Sequence, residues 1–226
     1  ISDATATASD LLALDAKTSV KVDATALSVS GTAAQLKELA AAKGVQLAKD
    51  VALTVSGTTN AADLAAVLKA TTGVVSATVA ADTASALNSA LKDANSSDAL
   101  TLTVNDTIVA AKDLISLNGK TSVPIVVNVG AITGNIAEIT DVFVTNVAQF
   151  TGVTTDDATI SGTANAIDVA KITVATTTGV VTATVKADTA EKLNDALGTL
   201  GGADKLSLTV TGASANAADL NGLNGK

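Results

Sequence analysis

The stretch TTGVVSATVAADTASALNSALKD, residues 71–93, returns at residues 177–199 as TTGVVTATVKADTAEKLNDALGT, with 16 of 23 positions identical. The shift of 106 residues sets Gly73 on Gly179, Asp82 on Asp188 and Leu91 on Leu197. It persists beyond the quoted stretch: Leu100 and Val104 fall on Leu206 and Val210, and Asp113, Leu117 and Lys120 fall on Asp219, Leu223 and Lys226. LDAKTSV at 14–20 likewise matches LNGKTSV at 117–123. Self-similarity at a fixed spacing is the mark of a repeat architecture. The expectation is one continuous solenoid over 1–226, with 1–17 as the end of a preceding coil and two super-repeats at 18–120 and 121–226.

Each super-repeat contains a shorter phrase: an alternating strand, a Gly-Thr or Asp-Thr step, then an amphipathic stretch rich in Ala and Leu. The first copy reads LSVSGTAAQLKEL (27–39), LTVSGTTNAADLAAVL (53–68), ATVAADTASALNSAL (77–91) and LTVNDTIVAAKDLISL (102–117). The second reads AITGNIAEI (131–139), TISGTANAIDVAKI (159–172), ATVKADTAEKLNDAL (183–197) and LTVTGASANAADLNGL (208–223). The predicted fold is an α/β solenoid of about eight strand-plus-helix coils, roughly 26 residues each, with a parallel sheet on one face and short helices on the other.

The periodicities agree with that reading. Val75, Ala77 and Val79 alternate with Ser76 and Thr78, as in a half-buried strand. Ala84, Leu87, Asn88 and Leu91 then fall at i, i+3, i+4 and i+7, one helical stripe. Between the two copies the inward set is unchanged, whereas Ser76→Thr and Ala80→Lys alter the outward strand face.

Asp82, Asp106 and Asp188 each precede Thr where strand gives way to helix, so they are predicted to cap the first free N–H groups. Gly31, Gly57 and Gly162 occupy the sister position and predict a tight turn with unusual backbone angles. The first coil of each super-repeat, TSVKVDATALSVSG and TSVPIVVNVGAITG, is longer and predicts two short strands around a bend. Pro124, the single proline, sits near the start of the first of these strands, where a missing N–H matters least. The second coils, GVQLAKDVALTVSG and NVAQFTGVTTDDATISG, read as similarly extended.

Composition narrows the chemistry. At 47% apolar residues and a mean hydropathy of +0.43, the chain is built to fold around a core. That core must be made of Ala, Val, Leu and Ile, because Phe143 and Phe150 are the only aromatics and Met is absent. Without Cys or His there are no disulfides, no thiolate or imidazole chemistry and no usual zinc or iron ligands. All 14 basic residues are Lys, and the net charge of −8 argues against nucleic acid and anionic membrane, which need clustered positive charge. No apolar run approaches the roughly 20 residues of a membrane span. No nucleophile with a base and no isolated carboxylate pair is legible, so no enzyme, catalytic residue or cofactor is expected.

Three features remain as candidate sites. Thr54, Thr78, Thr101, Thr103, Thr182, Thr184 and Thr209 stand on outward strand positions with Ser56, Ser76 and Ser207. Stacked about 4.8 Å apart, they would form parallel Thr-x-Thr ranks, which also suit a simple soluble strand face. Asn88 and Asn194, kept on the helix stripe, read as a buried polar ladder satisfying backbone groups. Calcium is the cation that nineteen Asp and three Glu would suit, with Asp156 and Asp157 the adjacent pair, yet neither a glycine-rich nonapeptide nor an EF-hand loop is present. The default is therefore a solvated acidic surface. Asn95 and Asn105 match the glycosylation pattern, as many chance sequences do.

Phrases such as VSGTAAQL, TVSGTTNAADL and AADTASAL resemble the Ala/Thr/Val-rich repeats of very long secreted or cell-surface proteins of bacteria, of cyanobacterial type in particular. The strand-plus-helix coil is also similar to leucine-rich-repeat solenoids, without their strict leucine and asparagine spacing. The resemblance implies an extracellular, repetitive, structural or adhesive role and supplies no catalytic residue. The residues near Ile1 and Lys226 are no more polar than their internal counterparts, whereas a free solenoid needs polar caps. The expected role is a structural segment of an extracellular fibre, filament, sheath or surface layer, assembled end to end with copies of itself. The alternative is an adhesin or ice-binding module that displays the Thr ranks.

Overall fold

The computed structural model describes residues 4–25, 28–198, 200–224 and 226. Ile1, placed above at an end without polar caps, and Leu27, the first residue of the first coil phrase, lie outside the described residues. The fold is mixed α/β, with parallel sheets and short helices, and the chain divides into two compact units, Ile1–Val104 with Ser116–Ile125, and Asn105–Ile115 with Val126–Lys226.

Unit 1 contains β1 (Thr5–Thr7), α1 (Ala8–Asp15), β2 (Val22–Ala24), β3 (Ser28–Gly31), α2 (Ala33–Ala41), β4 (Val45–Leu47), β5 (Leu53–Thr59), α3 (Ala61–Leu68), β6 (Val75–Val79), α4 (Ala84–Ala90), β7 (Ala99–Thr101) and β8 (Thr103–Val104). Its main sheet runs β1-β3-β5-β6-β7, all parallel, each strand beside the next one in that series. Parallel neighbours need a crossover, and α1 to α4 supply one each. A second, smaller pair joins β2 to β4. Residues 1–17 thus contribute a paired strand as well as a helix.

Unit 2 opens with β9 (Ile108–Ala110) and the start of α5 (Ala111–Asn118). It continues through β10 (Ile125–Val127), β11 (Ala131–Gly134), α6 (Ile136–Thr140), β12 (Phe150–Thr151), β13 (Asp157–Ala164), α7 (Ala166–Ala175), β14 (Val181–Val185), α8 (Ala190–Leu197), β15 (Lys205–Ser207) and α9 (Ala217–Leu223). Its main sheet runs β9-β11-β13-β14-β15, again parallel.

The registers give the length of one coil directly. Thr5 faces Ser28, Val29 faces Leu53, Leu53 faces Val75 and Ser76 faces Ala99, steps of 22 to 24 residues. In unit 2, before the register shift in β13, the steps are 23 to 26, the longest between Ala131 and Asp157. Most coils are therefore shorter than the expected 26.

The period switch read from the sequence is what the core uses. Val75, Ala77, Val79, Ala84, Leu87 and Leu91 are buried, as are their counterparts Val181, Ala183, Val185, Ala190, Leu193 and Leu197. Each fully buried leucine contributes about 1.5–3 kcal/mol. The longer first coils do hold two short strands each, β2 with β3 and β10 with β11, and Pro124 stands just before β10. The second coil of the later super-repeat differs from its extended reading. Asp141–Thr145 is a π-helical turn that buries Phe143, and 3₁₀ turns at Val147–Gln149 and Val153–Thr155 flank β12, whose Phe150 is also buried. Two bulky rings among small aliphatics fold that segment inward.

Gly57 and Gly162 both have φ of 76°, inside a register shift rather than at a strand end. Thr54 faces Ser76 and Thr58 faces Thr78, so β5 carries two extra residues there, and Thr159, Thr163, Thr182 and Thr184 repeat the arrangement in unit 2. Gly31 corrects the expectation: its φ is not left-handed, and its small size serves packing, since an added Cβ would lie 2.9 Å from the Ala8 methyl. At Gly73 and Gly179 a Cβ would collide with the carbonyl oxygens of Asp50 and Asp156.

These two classes of glycine predict different costs. Gly57→Ala or Gly162→Ala meets no neighbouring atom and is expected to lose about 1–2 kcal/mol, the left-handed penalty alone. Gly73→Ala or Gly179→Ala, which must move backbone, is expected to lose more, with urea unfolding as the measurement.

Candidate functional site

A strand in a thin aliphatic sheet begins with a backbone N–H that has left the helix and must find an acceptor. Here side chains from an adjacent strand-plus-helix segment provide it. Asp98, 1% exposed, lies in the loop before β7, and its Oδ1 accepts the Val75 N–H at 2.8 Å. Its Oδ2 accepts the Asn95 N–H at 2.9 Å and Asn95 Nδ2 at 3.1 Å. Asp204 repeats the contact, accepting the Val181 N–H at 2.8 Å, and Asp157 accepts the Val180 N–H at 2.8 Å.

Threonines do the same work elsewhere. Thr121, 3% exposed, accepts the Leu100 N–H at 3.0 Å and donates to the Leu100 carbonyl at 2.7 Å, while also accepting the Val123 N–H at 3.0 Å. Thr71 donates to the Val51 carbonyl at 2.5 Å and accepts the Gly73 N–H at 2.8 Å. Asp157 and Asn95 were singled out in the sequence for other reasons, and Asp98, Asp204, Thr71 and Thr121 were not among the sequence candidates. The available signal was position: Asp98 and Asp204 coincide under the 106-residue shift, and Thr71, Thr121 and Thr177 all open the loop before a strand.

The expected caps fall one residue too early. Thr83 and Thr189 are the N-caps, their hydroxyls accepting the Ala86 and Lys192 N–H groups. Asp82 and Asp188 still belong to the strand side, each in an isolated bridge, to Val104 and to Val210. Each turns its Oδ1 to the N–H of the following Thr at 2.8 Å. That bond holds the Asp188 carboxyl below its ordinary pKa, helped by Lys192. Asp106 precedes a strand rather than a helix, because β9 intervenes before α5. Elsewhere the cap is again Thr or Asn, as at Thr32 and Asn135, which form capping boxes with Gln35 and Glu138.

Asn88 and Asn194 are half-buried at the border of the stripe rather than fully inside it. Asn194 fills the space that any side chain at Gly222 would need, so it is wedged between α8 and α9.

The Thr array is partly assembled. Thr54, Thr78, Thr101, Thr182 and Thr184 lie on the two main sheets, but the bulges change their neighbours. One rank in unit 1 is Thr7, Ser30, Thr54, Ser76 and Ala99; the other is Thr58, Thr78 and Thr101. In unit 2 the ranks are Ala110, Thr133, Thr159, Thr182 and Lys205, then Thr163, Thr184 and Ser207. Ser56 is lost in the bulge. Thr103 belongs to β8, outside the main sheet, and Thr209 lies beyond the end of β15.

A groove of about 610 Å³ on unit 2 is lined by Asp168, Lys186, Asp188, Lys192 and Asp195 beside Ile167. Two of its charges pair with each other, Lys192 3.4 Å from Asp188, and Asp168 pairs at 3.0 Å with Lys171. Among the described residues, no three acidic side chains are placed to hold a metal ion, and no helix is long and apolar enough to cross a membrane. The Asn95 side chain is engaged by Asp98 and Ser97. Comparison with protein-family models, with curated proteins and with solved structures finds no match.

Removing the Asp98 carboxyl strands buried donors, so Asp98→Ala is expected to cost about 2–4 kcal/mol in urea unfolding. Asp204→Ala, at a half-buried copy with one such bond, is expected to cost less.

Proposed function

We propose that the chain is a structural repeat segment of an extracellular fibre, filament, sheath or surface layer, in which strand-plus-helix coils wind as a solenoid of about eight and stack end to end on further copies. The observation that carries the reading is the order of the two main sheets. Each grows by adding the next parallel strand at one side, so each has terminal strands that offer backbone groups for continuation. Head-to-tail continuation is a heterologous contact and gives an open filament rather than a closed ring. The extracellular setting rests on the resemblance to long bacterial surface repeats.

The edge strand β1 gives the test. The Ser28 N–H donates to the Ala4 carbonyl, so by strand alternation the backbone groups of Thr5 face away from β3. Thr5→Pro therefore removes an outward donor while sparing the sheet. Wild-type protein is expected to form concentration-dependent filaments by negative-stain microscopy and light scattering, and the variant to keep its Tm but lose or shorten them. A monodisperse wild-type monomer at all concentrations rejects the reading.

The rank Thr58, Thr78 and Thr101 favours a second reading, an adhesive or ice-binding face on the same scaffold. Replacing the three with Lys is expected to abolish thermal hysteresis; a wild-type protein without hysteresis rejects ice as the ligand.

A further inference from the structure

The two units place different residues at one equivalent buried turn. In unit 1 the Val51 N–H donates to the Ala48 carbonyl at 3.3 Å, the Thr72 N–H donates to the Lys49 carbonyl at 2.9 Å, and Leu53 faces Val75. In unit 2 the Asp156 N–H donates to the Val153 carbonyl at 3.1 Å, the Thr177 N–H donates to the Thr154 carbonyl at 2.7 Å, and Ala158 faces Val181. Counted back along β5 and β13, which a shift of 105 residues relates, Asp156 stands at the position where unit 1 buries Val51 at 3% exposure.

The chain on either side of Asp156 is fixed by hydrogen bonds. On one side Thr177 clamps the Thr154 carbonyl through its N–H and its hydroxyl, at 2.7 and 2.9 Å. On the other the Asp157 Oδ1 accepts the Val180 N–H, and the Asp157 N–H reaches the Gly130 carbonyl at 3.3 Å. Gly179 leaves no room above the Asp156 carbonyl. In this cage the Asp156 Oδ2 is buried with no hydrogen-bond partner. The segments packed around it, 128–134, 152–155 and 176–180, carry no ionisable side chain, and α7 keeps its Asp168 and Lys171 paired to each other. Among the described residues, Asp157 is the charged neighbour acting on it, and its sign is the same.

We propose that Asp156 makes this turn an acid-tightened latch: protonation seats the carboxyl in the slot that Val51 fills in unit 1, and ionisation loosens the turn and the start of β13. Burial raises the Asp156 pKa from 3.8 to about 6, and the negative charge of Asp157 adds to the rise. A folded pKa above the unfolded one favours the folded turn at low pH. That advantage is full below about pH 4 and is lost as pH rises through about 6.

Backbone hydrogen exchange, corrected for the intrinsic rate at each pH, reads the latch directly, with residues 47–53 as an internal control in the same molecule. Between pH 7 and pH 5, protection over 152–158 is expected to rise about three- to tenfold, since a folded pKa near 6 realises about one decade of the shift by pH 5 and the carboxyl is partly solvated. Residues 47–53 are expected to change little. Asp156→Asn is expected to flatten the response, and Asp156→Val to give the pH 5 protection at both values. The proposal is overturned if 152–158 does not respond, if both segments respond alike, or if either variant keeps the wild-type response.

Discussion

A buried strand in this protein begins with an N–H that no helix or neighbouring strand can take, and an adjacent strand-plus-helix segment supplies a side-chain oxygen to accept it. Asp98 does this for Val75, Asp204 for Val181, Asp157 for Val180 and Thr121 for Leu100. An unmet buried N–H costs about 1–3 kcal/mol, a large share of the margin available to a core made from Ala, Val, Leu and Ile. Strands of three to five residues carry few ladder bonds, so the bonds at their entrances weigh heavily. The stitches hold the loops against the sheet and let the crossovers stay short.

What could be read in advance follows from periodicity. A two-residue alternation followed by a helical stripe located β6 with α4 and β14 with α8, and even the split first coils, because burial of one face is written in residue order. Caps were harder by one residue. Asp82 and Thr83 both have oxygens that suit an N-cap, and the choice depends on where the strand lets go. Asp82 is still bridged to Val104, so the next residue, Thr83, starts the helix. The bulges at Gly57 and Gly162 were invisible for a related reason. A glycine after Val-Ser or Ile-Ser reads as a turn, yet β5 and β13 continue past it and re-register on the neighbouring strand.

The bulge also decides what the exposed face presents. Without it Ser56 would stand in rank with Thr78; with it Thr58 moves into that place, and Thr78 and Thr101 complete a run of three threonines. The same two-residue excess in unit 2 aligns Thr163 with Thr184 and Ser207. A face composed by register rather than by strand sequence explains why counting Thr-x-Thr pairs along the chain selected Thr103 and Thr209, which leave the sheet, and passed over Thr58 and Thr163.

The stitches share one more property. Thr71 to Val51, Asp98 to Val75, Thr121 to Leu100, Asp157 to Val180 and Asp204 to Val181 all join residues 20 to 23 apart, one coil to its neighbour. Bonds of this span tie each strand-plus-helix segment to its neighbours, so the stability they supply is local to adjacent segments. Selection on such a chain acts on the coil and on the match between adjacent coils. That is the pattern in the 106-residue self-match: Val75, Leu87 and Asp98 are kept, and the residues facing water change. Where a buried position does change, as from Val51 to Asp156 at the shift of 105 that relates β5 to β13, the substitution has a local consequence that its own segment must absorb.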